Sequence, residues 1–127
     1  MKSSILIVDD DRGLAELVAH ALIVEGFEAA VAVDGRDGVA HLADKAVDLA
    51  IVDLEMPAMN GAELVRRMRA DPALANIAVV AVTAAPHDID QRADYDAVLR
   101  KPFTSADLLR TVAEVLESAA ARAAPHV

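Results

Sequence analysis

The chain has 127 residues, 55% of them apolar and only 2% aromatic, with no cysteine and a formal net charge of -9. That length suits one domain with a core packed from Ala, Val, Leu and Ile, and the missing cysteines exclude a disulfide framework and thiolate chemistry. The acidic balance opposes nucleic-acid phosphates, no run approaches the roughly 20 apolar residues of a membrane span, and Met1 to Val8 does not read as a signal peptide. A cytoplasmic protein that contacts neither DNA nor membrane is expected.

Ile5 to Val8 is short, aliphatic and β-branched, and Asp9-Asp10-Asp11 ends it, so it reads as a buried strand terminating in carboxylates. Leu14, Leu17, Val18, Ala21 and Leu22 then share one face of a helix near 12–25, with an Asp to cap its start and Gly26 to end it. Phe27 to Val33 supplies strand two. Asp34-Gly35 turns the chain into a helix near 36–45. Asp48 to Asp53 is strand three, an apolar run that stops at a carboxylate and enters a loop bounded by Pro57 and Gly61.

Asn60 caps the next helix, with Glu63 as the partner of a capping box and Leu64, Val65 and Met68 on its buried face, and Asp71-Pro72 closes it. Ile77 to Val82 is the clearest buried strand, and Thr83 ends it with a hydroxyl. The polar segment from Pro86 to Asp94 has room for about two turns of a fourth helix at 3.6 residues each. Ala97 to Arg100 is the last strand, ending at Lys101-Pro102. Thr104 or Ser105 caps a final helix with Leu108, Leu109, Val112, Val115 and Leu116 inward. The domain is expected over 1–118. The Ala-rich 119–127 reads as a frayed tail or an overextended helix.

Strand and helix alternate through five units, which implies an α/β fold, a doubly wound parallel sheet of five strands with five helices on its two faces. Such a sheet gathers ligands at the carboxyl ends of its strands. Asp9, Asp10, Asp53, Thr83 and Lys101 all stand at strand ends. Three carboxylates in one cleft repel, and a divalent cation relieves them. The donors are hard oxygens, which suits Mg²⁺ rather than zinc or copper. A carboxylate nucleophile with an ammonium and a hydroxyl opposite is what phosphoryl transfer requires, with Asp53 as nucleophile and Lys101 as charge clamp.

From Lys2 to Leu116 the chain resembles the CheY-like receiver domains of two-component response regulators. The matching residues are Asp9-Asp10, Asp53 followed by Met56-Pro57 and Asn60-Gly61, Thr83-Ala84, and Lys101-Pro102-Phe103. The resemblance implies strand order 2-1-3-4-5 and a cis peptide before Pro102. It also implies that Asp53 accepts a phosphoryl group from a phosphohistidine on a sensor histidine kinase or histidine phosphotransfer protein. Asp10, Asp53 and the Glu55 carbonyl would bind Mg²⁺, Asp9 would hold it through water, and Thr83 and Lys101 would contact the phosphoryl oxygens. Such a protein is no enzyme beyond its own phosphorylation and dephosphorylation. It is expected to be a single-domain regulator that signals by protein contact or relays the phosphoryl group.

Two departures stand out. Receivers commonly carry an aromatic residue where this chain has Val98, and the interval from Thr83 to Lys101 is about one helical turn short, with Asp94-Tyr95 in place of the customary Gly-Ala. The face around the fourth helix and fifth strand is therefore expected to be altered. A receiver fold acting independently of phosphorylation is the alternative. A haloacid-dehalogenase-like phosphatase fits less well, because Gly13 stands where that family's Thr would follow Asp9 and no cap insertion encloses a substrate. Asp11 reads as a helix cap, Met56 and Met59 as packing, and His20, His41, His87 and His126 as surface residues.

Overall fold

The computed structural model describes residues 2–56, 60–89 and 92–123. Strands β1 (Ser4–Val8), β2 (Glu28–Ala32), β3 (Leu49–Asp53), β4 (Ala78–Thr83) and β5 (Ala97–Arg100) alternate with helices α1 (Arg12–Val24), α2 (Gly35–Asp44), α3 (Gly61–Ala70) and α4 (Ser105–Ala123). The strands pair in parallel in the order β2-β1-β3-β4-β5. This is the expected doubly wound order.

Apolar residues on both faces of each central strand build two cores. Ile5, Ile7, Leu49, Ile51, Val80 and Val82 pack against Val18 and Leu22 of α1 and Leu108 and Val112 of α4. Leu6, Val8, Ala50, Val52, Val79 and Ala81 pack against Leu42 of α2 and Leu64, Val65 and Met68 of α3. The strict alternation of partners follows from the two-residue period of a strand, and it explains why β1, β3 and β4 read as continuous apolar runs.

Local chemistry sets the helix ends. Asp11 caps α1 by accepting the Leu14 N–H at 3.1 Å, Asp34 caps α2 through Asp37 N–H at 2.8 Å, and Asn60 caps α3 through Glu63 N–H at 2.9 Å. Helix α1 closes in a Schellman turn. Phe27 N–H reaches Leu22 O and Gly26 N–H reaches Ile23 O, both at 3.0 Å, and Gly26 holds φ +96, a conformation that suits glycine. At α4, Thr104 Oγ1 accepts Asp107 N–H at 3.0 Å, while Arg110 first and then Thr104 hold the Asp107 carboxyl below its usual range.

One expectation is corrected. The described part of the fourth-helix segment forms two 3₁₀ turns, Pro86–Asp88 and Arg92–Asp94, rather than an α-helix. Nucleating a helix is costly unless an apolar face repays it by burial, and here His87, Asp88, Arg92 and Asp94 surround only Ile89 and Ala93. Of the two readings of the Ala-rich end, the described residues follow the overextended helix: the last helix runs past Ser118 to Ala123, in line with the high helix propensity of alanine. Residues 124–127 of the expected tail, Pro57 of the matching motif and the expected packing of Met59 lie outside the described residues.

Sequence reasoning gave no hint of Arg69. Its guanidinium donates to the carbonyls of Asp94 (2.9 and 2.7 Å), Ala75 (2.8 Å) and Ile77 (2.7 Å), and to Asp96 Oδ2 at 3.1 Å. Asp96 in turn accepts Val79 N–H at 2.8 Å and Arg122 at 3.3 Å. The network ties α3, the start of β4, the start of β5 and α4 together. It lies at the amino-terminal edge of the sheet, away from the polar strand ends.

Candidate functional site

Parallel pairing in register brings the carboxyl ends of β1, β3, β4 and β5 to one edge. Val8 is level with Val52, Asp53 with Val82 and Thr83 with Arg100. Asp9, Asp53 and Thr83 are the buried polar side chains of the described core, at 7%, 3% and 4% exposure. Asp10, by contrast, is exposed. The crevice between β1 and β3 is where the winding direction of the sheet reverses, the usual ligand position in open α/β sheets.

Carboxylate oxygens of Asp9, Asp10 and Asp53 all lie within 4.8 Å of one another. Burial, chiefly, pushes the Asp9 carboxyl up to about 6; the Asp11 N–H that it accepts pulls the other way, and the Asp53 charge adds to the rise. The Asp11 bond, to Asp9 Oδ1, is 2.9 Å long. An oxygen-only set this close, with one member reluctant to ionise, fits a hard divalent cation such as Mg²⁺.

Lys101 faces this cluster from the end of β5. Its Nζ lies 3.0 Å from Asp53 Oδ1 and 4.0 Å from Glu55 Oε2. Burial alone would lower the Lys101 pKa, but the Asp53 hydrogen bond and the Asp53, Asp9 and Glu55 charges outweigh it and the net shift is upward. Lys101 is therefore charged at neutral pH. The Lys101-Pro102 peptide is cis, as the resemblance implied. Asp53 Oδ1 also accepts Glu55 N–H at 2.9 Å, which curls the loop after β3 back over the carboxylate.

Across the cleft, Thr83 Oγ1 donates to Glu55 Oε1 at 2.8 Å, and Ala84 N–H donates to the same oxygen at 2.7 Å. The site thus holds together Asp9, Asp10, Asp53, Glu55, Thr83 and Lys101. Glu55 was expected to matter through its carbonyl, yet its side chain makes the described contacts. Only its place two residues beyond Asp53 hinted at this.

The side of the cleft that departs from the family pattern is also defined. Val98 is half-buried against the α2/α3 core, and Tyr95, 8% exposed, lies within that same core. A cavity of about 260 Å³ beside Thr83 is lined by Leu54, Glu55, Ala85, Ile89 and Tyr95 among others. Tyr95, just ahead of β5, thus lines the same cavity as Thr83. Outside the cleft, no helix among the described residues is long and apolar enough to cross a membrane.

The family model for the response regulator receiver domain matches residues 5–113. The chain is 32% identical over 122 residues to the sensory transduction protein RegX3 of Mycolicibacterium smegmatis, covering 93% of this chain and 52% of that protein. To the DNA-binding response regulator MtrA of Mycobacterium tuberculosis it is 34% identical over 116 residues, covering 88% and 50%. The chain therefore spans about half the length of these curated relatives. Among solved structures, a CheY-like response regulator receiver domain protein from Methanospirillum hungatei superposes with a TM-score of 0.87 at 27% identity, covering 96% of this chain and 99% of that one. The response regulator TrrA from Thermotoga maritima, solved in complex with Mg²⁺-BeF, gives 0.80 at 28% identity over 91% and 99%. A match spanning nearly the whole fold, on a chain with this strand order and this acidic edge, makes the protein a member of the response regulator receiver-domain family.

Proposed function

We propose that this chain is a cytoplasmic phosphoacceptor switch, taking a phosphoryl group onto Asp53 from a phosphohistidine on a sensor histidine kinase or histidine phosphotransfer protein. The observation that carries the reading is the buried Asp53 held 3.0 Å from Lys101, within reach of two further carboxylates and opposite Thr83. The described contacts of Asp53 with Lys101 and Glu55 N–H both fall on Oδ1. Oδ2 is accordingly the attacking oxygen in this reading. It forms the new P–O bond in line with the breaking P–N bond, whose electron pair returns to the imidazole.

Asp9, Asp10, Asp53 and the Glu55 carbonyl would hold Mg²⁺, which when bound neutralises the acidic cluster and the incoming phosphoryl charge. Lys101 and Thr83 would receive phosphoryl oxygens. The protein catalyses only its own phosphorylation and dephosphorylation, and it passes the signal on by protein contact or by relaying the phosphoryl group. Its charge of -9 argues against this part of the chain touching nucleic acid itself. Transfer from a histidine-phosphorylated donor tests the reading. Radiolabel should move to the wild type and not to Asp53→Asn, and label on the variant would overturn it.

The 3₁₀ turns and Val98 favour a second reading, a receiver fold that binds its partner regardless of phosphorylation. Partner affinity unchanged by phosphorylation and by Asp53→Ala would select it.

A further inference from the structure

The Glu55 side chain bonds Thr83 and stands beside Lys101, the two groups that the proposed function gives to phosphoryl oxygens, and it also takes the neighbouring Ala84 amide. Oε1 takes both the Thr83 hydroxyl and the Ala84 amide, and Oε2 lies 4.0 Å from the Lys101 ammonium. Hydroxyl, amide and ammonium thus converge on one carboxylate. Contacts to an ionised acceptor are shorter and stronger than neutral ones, as the 2.7 and 2.8 Å distances here illustrate. The side chain is also 43% exposed. It can leave for water without stranding a buried charge, so the contact is reversible.

We infer that the Glu55 carboxylate is an internal competitor for the phosphoryl site, occupying the Thr83 hydroxyl and the Ala84 amide and standing beside Lys101 until an incoming phosphoryl group displaces it. The inference rests on the reading of Asp53 as phosphoacceptor. Glu55 thereby acts as a positioning residue, holding Thr83 and the start of the β4 loop in a ligand-engaged arrangement before any phosphoryl group arrives. It also sets a threshold. A weak or distant donor must first break two hydrogen bonds, whereas a docked donor does so with the phosphoryl group already in place.

The test is titration of the full chain with beryllium fluoride, a phosphoryl analogue, at saturating Mg²⁺, read by the backbone amide signals of Thr83 and Ala84. Wild type, Glu55→Ala, Glu55→Asp and Asp53→Asn are compared. Glu55→Asp keeps the charge but is one methylene shorter, so it separates competition from repulsion. Both Glu55 variants should bind about tenfold more tightly, a difference of about 1.4 kcal/mol, and their Ala84 amide signal should move upfield before the analogue is added. Tighter binding in Glu55→Ala alone would mean that charge, not occupancy, is responsible and would overturn the inference. Equal affinity in wild type and both variants would overturn it too, while leaving the phosphoacceptor reading intact. Binding by none of them, or binding retained in Asp53→Asn, would remove that reading and the inference with it.

Discussion

Gly61, the first residue of α3, approaches Asp53 so closely that a Cβ at Gly61 would collide with the Asp53 carbonyl oxygen and meet Val52 Cγ1 at 2.7 Å. The helix that follows the Asp53 loop is therefore seated directly on the end of β3, and the absence of a side chain permits it. Gly61→Ala should cost about 1–3 kcal/mol of stability through overpacking against backbone that cannot yield. It should also displace Asp53 and weaken Mg²⁺ binding. Urea denaturation and a Mg²⁺ titration check both; an unchanged protein would show that the approach is looser than described.

Asp9 makes stability depend on pH. Its carboxyl is raised from 3.8 to about 6, chiefly by burial, so protonation favours the fold. That contribution is complete below the ordinary carboxyl range near 3.8 and is lost as pH rises through about 6. In EDTA, Asp9→Asn, which keeps the acceptor for Asp11 N–H, should be more stable than wild type by about 1–3 kcal/mol at pH 7.5. The advantage should vanish toward pH 4. Urea midpoints across this range measure it, and a difference independent of pH would contradict the assignment.

Arg69 joins three backbone carbonyls and Asp96 far from the acidic edge. Arg69→Ala leaves these partly buried acceptors without that donor and should destabilise the protein by about 2–4 kcal/mol. Lysine cannot span the same geometry and should rescue little of the loss. Chemical denaturation of the three proteins provides the comparison, and near-complete rescue by lysine would show that charge alone matters.

At Val98 and Tyr95 the switch is expected to be read differently from the family pattern. Tyr95 is already 8% exposed and packed in the α2/α3 core. Phosphorylation should therefore shift amide signals near Thr83 and Lys101 while moving residues 97–100 little. A large displacement along that strand would contradict this, and Tyr95→Ala should cost about 3–5 kcal/mol, as removal of a buried ring does.

The sheet was legible because its central strands are bare aliphatic runs stopped by a polar residue, and Asp53 and Thr83 prove to be the last residues of β3 and β4. The gathering of Asp9, Asp10, Asp53, Thr83 and Lys101 followed from topology, since strands of one parallel sheet end at one edge. The segment around Pro86 misled because it has helix-permitting length without an apolar stripe to bury. Arg69 was invisible for a different reason: its partners are carbonyls and an aspartate brought near by folding, and no spacing in the sequence records them. The Glu55 contact with Thr83 bridges residues 28 positions apart, so only the assembled cleft could disclose it.

The most direct measurement is intact-mass analysis after incubation with acetyl phosphate, with and without Mg²⁺, of wild type and Asp53→Ala. A single added phosphoryl group that requires Mg²⁺ and is missing from the variant is the result the account predicts. An adduct that persists in Asp53→Ala, or a wild type that takes none from acetyl phosphate or from a histidine-phosphorylated donor, would contradict it.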